Sequence, residues 1–209
     1  MTITKKRYLA PGILAISIIL AAGIVYLSSL SPSNNHAPVR ASDVCKPLGS
    51  DKAVVALNEI LPEQSEFSFD PVAEGTRVPA EASDNYSTSC FIHGDQDLLL
   101  SARARMMRAE PPESWESEVF VGRDDEARRA TRFEAGAQGI ASSSRAAAFI
   151  PCVPKGKIPG GSYSLSVVVD LKKRGDASDT QSRDGLIDLV LSFAKHAHKN
   201  ASCTLPSRI

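Results

Sequence analysis

An uncharged stretch of twenty-two residues, Leu9–Leu30, constrains this 209-residue chain more than any other feature. A helix rises 1.5 Å per residue, so about 20 apolar residues span the roughly 30 Å hydrocarbon core of a bilayer. Lys5, Lys6 and Arg7 precede the stretch, and basic residues are retained on the cytoplasmic side of a membrane. The sequence therefore predicts a cytoplasmic basic segment at 1–8, a transmembrane helix at 9–30 that contacts the membrane, and an extracytoplasmic remainder.

A cleaved signal peptide has a similar basic start and apolar middle, and it is the alternative to a retained anchor. Ser29 and Ser31 are small enough to flank a cleavage site, but Pro32 would then follow the cut. Val39 and Ala41 also fit the size rule, although they lie far beyond the apolar stretch. Both alternatives place the rest of the chain outside the cytoplasm.

The remainder divides into a polar linker and one domain. Residues 31–44 are rich in Pro, Asn and Ser, a composition typical of a flexible spacer. Residues 45–209 have about the commonest length of a single domain. They carry 20 basic and 23 acidic side chains, a net charge of −3. Because such a domain has no overall attraction to polyphosphate backbones, we expect no nucleic-acid partner.

Four cysteines, Cys45, Cys90, Cys152 and Cys203, all lie in the predicted domain. An even number of cysteines in an oxidising compartment predicts two disulfides. Their spacings are too wide for the common zinc motifs. Three pairings are possible, and we favour Cys45–Cys90 with Cys152–Cys203, which would tie each terminal helix of the domain to a strand.

Helices begin and end the predicted domain, with strands between them. Ser50 is placed to cap a helix from Asp51 to Leu61, and Ser182–Asn200 has the apolar stripe of an amphipathic helix. Ser114–Arg129 is ambiguous between a helical turn and an irregular excursion. Apolar alternation predicts strands at Ser65–Asp70, Ser87–His93, Asp97–Arg108, Thr131–Ala137, Arg145–Cys152 and Tyr163–Lys173. This order predicts an α+β fold, an antiparallel sheet with the N- and C-terminal helices packed on one face.

The best local cluster of titratable groups is His93 with Asp95 and Asp97. These residues would suit a hydrolase whose other groups come from elsewhere in the fold, but the same stretch is ordinary turn chemistry, which we prefer. His196 and His198 point about 200° apart on a helix, so they do not share a metal ion. The sequence has no Gly-x-Ser-x-Gly elbow, phosphate loop or His-Glu-x-x-His helix, and its Ser192-x-x-Lys195 match lacks the partner motifs of the serine penicillin-binding proteins. We therefore assign no catalytic residue, cofactor or metal.

Arg103 and Arg105 share the outward side of one predicted strand. They would suit an anionic envelope polymer or the acidic surface of an envelope protein. A solvated sheet face with ion pairs is the simpler alternative. We expect a tethered interaction domain, with an extracytoplasmic hydrolase or a structural subunit of an envelope complex as the other possibilities.

Several features occur together around the cysteines. Cys45 opens the domain, Ser89-Cys90 lies in a strand, Pro151-Cys152 precedes the long strand, and the last helix ends in Asn200–Cys203. With the N-terminal anchor, this combination resembles small anchored or lipoprotein-like extracytoplasmic proteins of actinobacteria. The resemblance implies an extracytoplasmic location and agrees with the favoured cysteine pairing, and it implies no activity. Since no lipobox precedes Cys45, a helical anchor is favoured over a lipid anchor.

Overall fold

The computed structural model describes residues 37–74 and 85–209. The predicted basic segment 1–8, the predicted span 9–30 and the candidate cleavage positions Ser29 and Ser31 lie outside these residues. Within them, no helix combines the length and the apolar character that crossing a membrane requires.

A single antiparallel sheet forms the centre of the described region. Its strands are β1 (Phe67–Glu74), β2 (Ser87–Gly94), β3 (Asp97–Arg108), β4 (Thr131–Phe133), β5 (Gln138–Ala141), β6 (Arg145–Ile158) and β7 (Gly161–Leu171). They lie in the order β1-β2-β3-β7-β6-β5-β4. The predicted antiparallel sheet is therefore confirmed, with β3 beside β7 and residues 109–130 leaving the sheet between β3 and β4.

Two of the predicted strands differ from the structure. The expected strand Thr131–Ala137 is divided into β4 and β5, because Gly136 adopts a φ of +59° that ends the extended conformation. The expected strand Arg145–Cys152 continues to Ile158, through register shifts after Pro151 and Val153.

The helices of the described region are α1 (Asp51–Ile60), α2 (Pro112–Val119), α3 (Asp124–Arg129) and α4 (Asp179–Asn200), and a 3-10 turn (Lys46–Leu48) precedes α1. Ser50 caps α1 as predicted, since its hydroxyl accepts a hydrogen bond from the Ala53 amide at 3.2 Å. The last helix begins earlier than predicted because Ser178 and Gln181 form a capping box. The ambiguous segment Ser114–Arg129 contains the two short helices α2 and α3.

Helices α1 and α4 pack on one face of the sheet, as predicted. Gly185 lets them approach closely, because a Cβ at this position would lie 2.8 Å from Ile60 Cγ2. The core between helices and sheet includes the fully buried side chains of Ala102, Ala104, Leu165, Val167, Val169, Leu186, Leu189 and Phe193. Burial of this apolar surface is the main favourable term for such a fold.

A second, smaller core lies on the opposite face of the sheet. Trp115 of α2 stacks on Phe149 with ring centroids 5.2 Å apart. Its Nε1–H donates to Ser166 Oγ at 2.9 Å, and the Trp115 side chain is 1% exposed. Phe120 and Ile140 complete this cluster. Residues 109–130 thus cover the β5–β7 half of this face.

The structure forms disulfides between Cys45 and Cys90 and between Cys152 and Cys203, the two pairs expected from the sequence. Both bonds join a terminal helical region to the sheet. Because disulfides persist in oxidising compartments, two of them suggest an extracytoplasmic domain.

The packed region begins before the predicted domain boundary at Cys45. Val39 and Val44, which the sequence places in the linker, are only 4% and 8% exposed. The Asn58 side chain also bonds both backbone polar groups of Val39, at 2.9 and 3.0 Å. Within the predicted linker, Val39 and Val44 are therefore part of the packed region, and Val39 is bonded to α1.

Candidate functional site

The β1–β3 half of the second face is not covered by α2 and α3, and we call it the open half-face. The strand register places Ser68, Asp70, Val72, Ser87, Ser89, Phe91, His93, Ser101, Arg103 and Arg105 on this side of the sheet. Asp70, Val72, Arg103 and Arg105 are exposed, whereas Phe149 and Ser166 on the covered half are buried. The three strands therefore offer a solvated surface at these positions.

Both arginines predicted as an interaction face lie on the open half-face. The Arg103 guanidinium is 5.3 Å from the centre of the Phe91 ring, a cation–π geometry. Arg105 pairs with Glu118 of α2, and the two side chains are 59% and 48% exposed. Exposed pairs contribute only about 0–1 kcal/mol, so Arg105 exchanges this partner for another anion at little cost.

The predicted cluster of His93, Asp95 and Asp97 is not brought together. Asp97 pairs with a lysine that follows β7, and Asp95 accepts a hydrogen bond from a serine before β1 at 2.8 Å. Asp95 and Gln96 have φ values of +46° and +78°, as in the two-residue turns that join hairpin strands. The structure thus supports the turn interpretation of this stretch.

A different carboxylate, Asp70, approaches His93. Its Oδ2 lies 3.1 Å from His93 Nδ1, although the angle falls short of a hydrogen bond. In the described part of the chain, no serine hydroxyl bonds the His93 ring. A histidine–carboxylate contact is therefore present on the open half-face, without a nucleophile joined to it.

A second candidate site surrounds Glu126 in α3. Its carboxylate accepts hydrogen bonds from the hydroxyls of Ser142 and Ser144, in the turn between β5 and β6. Arg123 Nη1 lies 3.0 Å from its other oxygen. Burial opposes the charged form of Glu126, but the bonds from the two serines and from Arg123 outweigh it, so the pKa of this carboxyl lies below its ordinary value.

Asp170 of β7 binds three cations beside this site, and one of them, Arg123, is shared with Glu126. Arg145 reaches its Oδ1 through Nε at 2.7 Å and through Nη2 at 2.6 Å. Lys172 lies 3.6 Å from Oδ2, and Arg123 lies 3.8 Å from Oδ1. Asp170 and Arg145 are each 14% exposed. Since two acidic groups, Glu126 and Asp170, share three cations, this network has a net positive charge.

A cavity of about 410 Å³ opens next to the network, and we call it the arginine cavity. It lies within the volume range of small-ligand sites. Its lining residues are Glu126, Arg129, Ser142, Ser143, Ser144, Arg174, Asp179 and Arg183. This site is not evident in the sequence, because its residues come from α3, the β5–β6 turn, the connection after β7 and the start of α4.

A shallower groove of about 510 Å³ follows the outer surface of α4 and the start of α1. Lys46, Lys52, Lys195 and Lys199 line it together with His196. The neighbouring histidine, His198, instead bonds the backbone oxygen of Leu205 at 2.9 Å. Across residues 37–74 and 85–209, no three His, Cys, Asp or Glu side chains are grouped as a metal site would need.

Comparison of the chain with models of protein families, with curated proteins and with solved structures finds no match. Function is therefore inferred from the geometry of the chain itself.

Proposed function

We propose that this chain is a membrane-tethered extracytoplasmic domain that binds an anionic polymer of the cell envelope without chemical conversion. The observation that carries the proposal is the open half-face, where Arg103 and Arg105 stand exposed on a rigid sheet. Alternate residues of a strand are about 7 Å apart, so the two guanidinium groups can contact successive charges of one extended polyanion.

Sequence and disulfides support the membrane tether and the extracytoplasmic location in this proposal. The uncharged stretch Leu9–Leu30 supplies a membrane anchor in the sequence, and its basic flank favours a cytoplasmic N-terminus. The two disulfides support an oxidising compartment. The resemblance to small anchored envelope proteins agrees with the same location.

Charge reversal tests the binding surface. Full-length R103E/R105E in nonionic detergent is mixed with purified cell walls, and cosedimentation is measured as a function of salt. We expect at least a tenfold loss of binding, because two attractive contacts become repulsive. The matched control is K155E/K157E, which makes the same charge change at the same spacing on exposed positions of β6.

Two results would contradict the proposal. Equal loss of binding in the two double variants would indicate non-specific attraction, and unchanged binding in R103E/R105E would remove the open half-face from consideration. Binding of the wild-type protein is also compared between intact cell walls and walls stripped of their anionic polymer. If the wild-type protein still binds them fully, the occupant of the surface is an envelope protein instead.

A hydrolase is the second candidate, and the contact between His93 and Asp70 is the observation that favours it. A carboxylate beside imidazole Nδ1 orients the ring and stabilises its protonated form in hydrolytic triads. The test is labelling of the full-length protein with a reactive phosphonate, compared between wild type and H93N. Labelling that requires His93 would favour the hydrolase. Absence of labelling would contradict the hydrolase and favour the binding function.

A further inference from the structure

We propose that the arginine cavity binds the terminal phosphate group of a small molecule. The cavity is separate from the open half-face, and the inference does not depend on the proposed function. It has the volume of a small-ligand site, and three guanidinium groups, from Arg129, Arg174 and Arg183, line it.

The charges at the cavity leave a positive excess. Arg174 pairs with Asp179 at the start of α4, and Glu126 is satisfied by the two serines and Arg123. Arg129 has no ion-pair or hydrogen-bond partner in the part of the chain that the structure describes. Its guanidinium is therefore available to an incoming anion.

The remaining arginine is only weakly engaged. Arg183 Nε lies 3.5 Å from Asp184 Oδ1, and the Arg183 side chain is 30% exposed. A guanidinium has five N–H donors, so this contact leaves most of them for a ligand. Two weakly held arginines, Arg129 and Arg183, thus line one cavity.

The donor set fits phosphate. A terminal phosphate carries three exposed oxygens, and arginine binds them through two parallel N–H···O contacts. Arg129, Arg174 and Arg183 provide enough donors for all three oxygens. The hydroxyl of Ser143 adds another, since it makes no side-chain hydrogen bond within the described residues. A carboxylate, with two oxygens, would leave part of this set unpaired.

Glu126 positions the cavity wall. By accepting both hydroxyls it fixes the Ser142–Ser144 turn, and Ser142 Oγ in turn accepts the Arg145 amide at 3.0 Å. Its negative charge also opposes any anion in the cavity. Neutralising Glu126 should therefore tighten binding of the ligand, although this residue holds the cavity wall in place.

The first experiment measures binding of inorganic phosphate and of glucose 6-phosphate to the full-length protein in nonionic detergent by calorimetry. R129Q should weaken binding of the phosphate-bearing probe about tenfold, the usual effect of losing one charge-assisted hydrogen bond. R128Q is the matched control, because Arg128 is the preceding residue of α3, pairs with Asp125 and does not line the cavity. Both arginines are exposed, so neither substitution threatens the fold.

The two probes identify the source of the phosphate group. Binding of both supports a site for the phosphate itself, and binding of glucose 6-phosphate alone supports a site that also contacts the attached group. If neither probe binds, or if R128Q and R129Q weaken binding equally, the proposal is overturned. Equal affinity for sulfate would overturn the assignment to phosphate.

The second measurement is phosphate binding by E126Q, and the expected change in affinity is opposite to that of R129Q. E126Q should tighten phosphate binding severalfold, because it removes a negative charge from the wall while the single amide oxygen of the glutamine can still accept both serine hydroxyls. Weaker phosphate binding in E126Q would contradict the proposal. Fluorescence of Trp115, the only tryptophan, reports in the same samples that the neighbouring core is intact.

Discussion

The hydrogen bond from Trp115 to Ser166 holds residues 109–130 against the sheet, and a double-mutant cycle tests its contribution. Both residues are buried, at 1% and 4% exposure, and the donor and acceptor are 2.9 Å apart. In S166A the indole N–H loses its partner. In W115F the serine hydroxyl loses its partner, and part of the stack on Phe149 is lost as well.

The magnitudes follow from burial. Leaving one buried polar group unpaired costs about 1–3 kcal/mol, so we expect S166A to lower the free energy of unfolding by about 2 kcal/mol. W115F should lower it by about 3 kcal/mol, since a smaller ring also leaves a cavity. The double variant leaves neither group unpaired. Its cost should be about 1 kcal/mol less than the sum of the two single costs.

Urea unfolding followed by far-UV circular dichroism measures these values, because Trp115 is the only tryptophan and its fluorescence is lost in two variants. S164A is the matched control: Ser164 is also 4% exposed on this face and makes no side-chain hydrogen bond within the described residues. A coupling energy near zero between positions 115 and 166 would refute the reasoning. So would a cost for S164A equal to that for S166A.

Three further predictions concern stability. C152S/C203S should lower the free energy of unfolding by about 4 kcal/mol, which is the chain-entropy estimate for cysteines 51 residues apart. The urea midpoint of the variant, compared with that of wild type, measures this loss. G136A should cost about 2–4 kcal/mol, because its φ is +59° and the new Cβ would lie 2.5 Å from a carbonyl oxygen of β6. G122A, with a φ of +72° and open space around the Cβ, should cost only about 1 kcal/mol in the same assay. The pKa of Glu126 is lower in the folded state than in the unfolded state. Its charged form therefore stabilises the fold above the ordinary glutamate pKa, and this stability is lost as the pH falls through the folded-state pKa. In E126Q the free energy of unfolding should accordingly decrease less on acidification than in wild type.

The elements that the sequence predicts well are those with a local cause. Alternating apolar residues at 163–171 identify β7, and a serine before an apolar stripe identifies α1. The disulfide pairing follows from the same elements, since the cysteines lie at the ends that a two-layer fold brings together. The strand and helix signals depend on neighbours within a few residues, whereas the pairing of cysteines 45 and 51 residues apart also requires the predicted arrangement of the layers.

The elements that differ depend on distant contacts. Pro154 and Gly156 indicate a loop after Cys152, yet β6 continues there because β7 pairs with it across two register shifts. Trp115 and Phe120, in the segment Ser114–Arg129 that the sequence leaves ambiguous, form a second core on the other face. A short, charged segment has no periodicity strong enough to identify the face of the sheet that it covers.

The arginine cavity shows why charge along a chain is a poor guide to charge at a site. In the sequence, Asp124, Asp125 and Glu126 dilute the neighbouring arginines, and the segment reads as balanced. In the structure these charged side chains lie on the short helix α3 and point in different directions. Asp125 pairs with Arg128 in solvent, and Glu126 turns inward to the serine turn. Arg129 is then left facing the cavity, because Asp125 and Glu126 are already bound to other groups and Asp124 does not line the cavity.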